Sequence, residues 1–173
     1  MRKITIAAVA LLGSVALAGA TTLPAFAADT TSTVAVTAGG LSITAPATLA
    51  FSAAAPNAIS TAALVGVQVS DLRAATGGWV SNVILADFVF TGTTGPIPIP
   101  ASIVTYTAGT PAVTGTATVT PAAAVSPNAE SPVQTATAVT GNNTATWDAA
   151  LSMTVPSAAL FGTYSAVLTH SVA

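Results

Sequence analysis

The sequence predicts an all-β protein: an antiparallel β-sandwich of immunoglobulin-like or jelly-roll type. Short runs of alternating apolar and polar residues recur, set apart by Gly, Pro and Asn signals, and give roughly nine to eleven candidate strands. Thr and Val are abundant, while the helix formers Glu, Lys, Gln and Leu are scarce. Neither a sustained 3.6-residue periodicity nor a repeat of fixed period competes with that pattern.

The chain opens on a leader. Met1-Arg2-Lys3 is cationic, Ile4 to Ala18 is apolar and uncharged, and Ala25-Phe26-Ala27 places small residues where a signal peptidase reads them. The apolar run, about 15 residues, is short of the roughly 20 needed to span a bilayer. Residues 1–27 therefore read as a cleaved signal peptide and residues 28–173 as one domain, secreted or held at the cell surface, with no membrane association after cleavage.

Within that domain, Val34 and Val36 alternate with Thr33, Ala35 and Thr37 as a strand, and Gly39-Gly40 marks a turn. Leu41 and Ile43 form a second strand ending near Pro46. Leu49 and Phe51 form a third, and residues 53–63 a loop. Val65, Val67 and Val69 share a strand face with Asp71 and Arg73. Residues 79–90 are apolar on both faces, as in a central strand covered on both sides. Pro96, Pro98 and Pro100 make residues 92–100 an extended loop.

Strands follow near 103–106 and 113–120, and then a linker-like stretch over 121–132. An edge strand is expected over 133–140, with a turn at Gly141-Asn142-Asn143. Trp147, Ala149, Leu151, Met153 and Val155 form one face of a half-buried strand. A corner at 156–161 leads to a last strand with Tyr164, Ala166, Leu168, His170 and Val172 facing inward.

Composition excludes several function classes. Charged residues make up 5% of the chain, against about 25% in an ordinary domain. Past the leader, Arg73 is the one cationic side chain, set against five acidic ones. Nucleic acid and anionic membranes are therefore not expected partners. A weakly charged Thr/Ser/Ala surface instead favours close packing against a wall or another subunit. A single histidine and no cysteine build no zinc site, and the acidic residues lack calcium-loop spacing. No metal or cofactor is expected. His170 has no G-x-S-x-G serine to serve.

The expected contact residues are Asp71, Arg73 and Trp79. Asp71 and Arg73 leave the same strand face, where the bland reading is a structural ion pair. Gly77-Gly78 feeds Trp79, which is either a core tryptophan or an aromatic surface for a sugar ring or a partner.

Taken in order, V-x-V-x-D-x-R over Val67–Arg73, Gly78-Trp79, Asp87-Phe88, Ile99-Pro100-Ala101-Ser102, Tyr106, Trp147 to Pro156 and Gly162-Thr163-Tyr164 to Val172 resemble the WxL-type surface domains of Gram-positive bacteria. The naming motifs are altered. Trp79-Val80-Ser81 has Ser in place of Leu, and His170-Ser171-Val172 has His and Val in place of Trp and Leu. The resemblance implies an exported β-sandwich that attaches non-covalently to peptidoglycan or joins other surface proteins. The expected function is thus a non-enzymatic, secreted or cell-surface structural or binding protein. A self-assembling array or fibre subunit is the alternative, and a secreted hydrolase ranks below both.

Overall fold

The computed structural model describes residues 31–91 and 98–173. The expected signal peptide and most of the proline loop lie outside them. The strands are β1 (Leu41–Thr44), β2 (Ile59–Asp71), β3 (Trp79–Leu85), β4 (Val89–Phe90), β5 (Thr105–Ala108), β6 (Ala112–Pro121), β7 (Ser131–Thr154), β8 (Tyr164–Ser165) and β9 (Leu168–Val172). Ala101–Ile103 is a single 3₁₀ turn. Among the described residues, no helix is long and apolar enough to cross a membrane. Ala35–Ala173 form one compact unit.

The alternation around Trp147 produces the strand on which the rest is hung. Ala145, Trp147, Ala149, Leu151 and Met153 point inward. Their strand, β7, pairs antiparallel with β2, β3, β5 and β6. One seven-stranded antiparallel sheet results, running β1-β2-β7-β3-β9 with β5 and β6 also laid on β7. It wraps into a nearly closed, barrel-like sandwich. β1 and β9 are its ends: they lie near each other but share no ladder. β4 and β8 form a separate two-stranded ribbon.

Both tryptophans, Tyr106, Val67, Val69, Val83, Val133 and Leu151 are fully buried in the core between these layers. Fully burying an aliphatic side chain contributes about 1.5–3 kcal/mol, and a barrel this lean in aromatics draws mostly on such valines and leucines.

Several expectations change. Residues 131–154 are one strand, not an edge strand, a turn and a second strand. Gly141 (φ 70°) and Ala138 (φ 51°) bend it, so the glycine–asparagine signal marks a corner inside a continuous ladder. That bend lets β7 pair with β3 on one side of the corner and with β2 and β5 on the other, while β6 follows it through the corner with a shifted register. The register of β2 slips between Leu64 and Val67 at Gly66 (φ 86°), a backbone setting that favours glycine. Val65 therefore faces solvent while Leu64, Val67 and Val69 face the core, and the valines do not share one face.

The expected two-sided strand at 79–90 breaks after Leu85 and is covered on one face only, with Ile84 and Val89 exposed. Residues 59–63, expected as loop, begin β2, because a Ser/Thr/Ala stretch carries little apolar contrast. The linker-like stretch is pinned: Val125 exchanges both backbone hydrogen bonds with Tyr106, and Pro127 is buried with its carbonyl accepting from the Leu85 N–H. Residues 33–37 and 48–52, both expected as strands, join no ladder.

Candidate functional site

Two places in the molecule collect chemistry, one at each end of β2. At its C-terminal end the backbone aims Asp71 inward beside Asn143, its register partner on β7. Asp71 is 1% exposed. The Arg73 Nε and Nη2 groups donate to its two carboxylate oxygens at 2.8 and 3.0 Å, a bidentate pair. The Arg73 backbone N–H adds a third bond to Asp71, and Asn143 Nδ2 a fourth. Asn143 Oδ1 accepts from the Trp79 indole N–H at 3.1 Å. The same Nη2 also donates toward the carbonyls of Gly77 and Gly78.

The side-chain bonds from Arg73 hold the Asp71 carboxyl below its usual pKa, against burial, which pushes it up. The same pairing raises Arg73. The sequence placed Asp71, Arg73 and Trp79 together, and the structure joins them through Asn143, a residue the sequence reading left in a turn. Their role differs from the expected contact surface. Asp71 and Trp79 are buried and their polar atoms are spent on Asn143 and Arg73, and of the three expected residues Arg73 alone keeps partial exposure. This is a ring of hydrogen bonds that fastens the β2–β3 connection to β7.

His170, on β9, sits in a short chain. Its Nε2 lies 3.1 Å from the Tyr106 hydroxyl, and the Trp147 indole N–H donates to that same hydroxyl oxygen. The hydroxyl oxygen has two lone pairs, so it accepts from the indole and shares a proton with Nε2 in either sense. Burial depresses the His170 pKa and raises that of Tyr106.

The carboxylates of the described residues are likewise engaged in structure. Asp87 accepts from the Ala101 N–H, Asp148 from the Gly66 N–H at the β2 bulge, and Glu130 from Asn82 and Ser171. Among the described residues, no group of three or more His, Cys, Asp or Glu side chains could hold a metal ion.

The other end of β2 is open. A cavity of about 1040 Å³ lies between two lips, Ala45–Pro56 and Ala159–Leu168. Leu64, Leu85, Phe88, Ile99 and Met153 form its floor, so it reaches the core, and His170 stands in its wall. The lining holds no Lys, Arg, Asp or Glu. The first lip leaves β2 after Thr44 and returns where the Ser52 N–H donates to the Thr61 carbonyl. The Ser60 hydroxyl donates to the Ser52 carbonyl, and Phe51 packs edge-on against Phe88.

Between Ala45 and Phe51, no backbone group is bonded to another among the described residues. The second lip is tied by Tyr164, whose hydroxyl accepts from the Leu160 N–H and donates to the Leu160 carbonyl. It leaves Leu160, Phe161 and Val167 exposed, Phe161 completely so. Sequence reading missed this cavity. Its one local sign was the alternation of Leu49 and Phe51 in a stretch that pairs with nothing.

The segments that carry the WxL resemblance meet in space. Trp79-Val80-Ser81 on β3 and His170-Ser171-Val172 on β9 lie in one ladder, with Ser81 opposite Val172 and Val83 opposite His170. No protein-family model, curated protein or solved structure matches this chain.

Proposed function

We propose that this chain is a non-enzymatic, exported structural or binding protein that docks other cell-surface proteins through the cavity between the Ala45–Pro56 and Ala159–Leu168 lips. The observation that carries the reading is a large, uncharged, core-deep cavity with unpaired backbone along one lip and exposed apolar side chains on the other. Concave apolar sites of this size suit a ligand that arrives with apolar side chains and little charge. An extended protein segment meets both demands. A glycan, dense in hydroxyls, leaves its polar groups facing apolar walls. The engagement of Asp71, Asp87, Asp148 and Glu130 in structural hydrogen bonds supports a non-catalytic role.

Sedimentation with cell-envelope fragments tests it. Protein should pellet with fragments that retain their surface proteins, and a Leu160→Ser/Phe161→Ser variant should stay in the supernatant. Wild-type protein left in solution, or pelleting unchanged by the variant, refutes the reading. A second reading, attachment to peptidoglycan itself, draws on the ladder that sets the two altered WxL-like motifs side by side. It predicts equal pelleting with walls stripped of protein.

A further inference from the structure

We infer that the cavity receives residues 33–38 of a second copy of this chain as an added β-strand, so that copies join head to tail. The inference rests on reading the cavity as a docking site and names its occupant. Thr33-Val34-Ala35-Val36-Thr37-Ala38 has the alternation of a half-buried strand, yet joins no ladder among the described residues, and Val34 and Val36 are 89% and 78% exposed. The Ala45–Phe51 lip has the opposite deficiency: a run of backbone donors and acceptors, unbonded among the described residues, beside an apolar hollow. Strand addition answers both at once, with main-chain bonds along the lip and the two valines turned into the cavity. Neither partner carries charge: the lining has no Lys, Arg, Asp or Glu, and neither does the segment.

Geometry selects a second copy over the same one. The segment leads into β1 at Leu41, opposite Asp71, whereas the cavity begins past Thr44 and extends toward Ser60. The Gly39 N–H is held on the Leu72 carbonyl at 2.7 Å, and the Gly40 carbonyl accepts from the Leu72 N–H. These bonds continue the β1–β2 ladder outward, so the preceding residues leave from the end away from the cavity. To fill its own cavity the chain has to double back across β1. Donor and acceptor at opposite ends make a heterologous contact, which propagates instead of closing.

The chain has no cysteine, so introduced thiols report without background. One full-length batch carries Thr37→Cys, a second Ala50→Cys on the lip, and a control Thr116→Cys on the exposed face of β6. Mild oxidation of the first batch mixed with the second should give a mixed-disulfide dimer, at least about tenfold over the pairing with Thr116→Cys, the factor that one buried valine implies. Adding Val34→Asp and Val36→Asp to the donor should return the yield to control. Equal yields at Ala50 and Thr116, indifference to the aspartates, or a disulfide that forms only within a Thr37→Cys/Ala50→Cys chain each overturn the inference. If the dimer fails while the Leu160→Ser/Phe161→Ser variant still loses its hold on envelope fragments, docking stands and the self-donated strand falls.

Discussion

β2 begins and ends in opposite circumstances. At Asp71 every polar atom of a buried carboxylate, an amide and an indole is matched. At Ser60 and Leu64 the same strand borders a hollow of about 1040 Å³, and the backbone of Ala45–Phe51 beside it has no backbone partners among the described residues. The first end shows what fixes a low-charge barrel in one arrangement. The second shows where it has surface to give. On the proposed reading, stability and recognition are separated along one strand, and substitutions should separate them too.

The largest effect belongs to the closed end. Trp79→Ala removes a core indole and strands Asn143 Oδ1, and should cost about 3–5 kcal/mol in urea unfolding. Asp71→Ala should come next, at about 2–3 kcal/mol, since it leaves Arg73 and Asn143 without their acceptor while Arg73 keeps access to water. Enlarging alanine probes the contrast most directly. Ala145→Leu, in the sealed part of β7, should cost about 1–3 kcal/mol, whereas Ala54→Leu, in the cavity wall, should fall within about 0.5 kcal/mol of wild type. Equal costs at the two sites mean the hollow closes in solution.

Acid should act in two steps. His170 is held neutral in the fold, so its contribution is complete above its unfolded pKa, about 6.5. That contribution is lost as pH falls toward the depressed folded value. Asp71 is held ionised, and its contribution is complete above about 3.9 and lost below, toward its own lowered pKa. Melting temperature against pH should show both slopes, and His170→Gln should erase only the upper one. An effect of opposite sign is expected at Ser81, whose hydroxyl is buried without a partner among the described residues. Ser81→Ala should stabilise the fold by no more than about 1 kcal/mol.

How much of this the sequence revealed depended on local contrast. The alternation from Trp147 to Met153, and the half-buried faces of Val113, Ala117 and Val119 and of Leu168 to Val172, were legible because apolar and polar residues took strict turns; the one strand expected from Tyr164 to Val172 is two, β8 on β4 and β9 on β3. The unity of β7 was not, since a Gly-Asn-Asn signal reads the same at a hairpin and at a bend within one strand. Gly66 reversed the facing of Val65 through a bulge that no periodicity announces. The Asp71–Arg73–Trp79 cluster could be named, but its fourth member, Asn143, is 64 residues from Trp79. The cavity was hidden because it is made by what two loops fail to do, and pairing is a property of the partner as much as of the segment.

The position of β7 along the chain has a consequence for biogenesis. The main sheet is completed against residues 131–154, so β1, β2 and β3 are made well before the template they need exists. Such long-range pairing is slow, on the order of milliseconds to seconds. A nascent chain of this design cannot complete its main sheet until most of it has emerged.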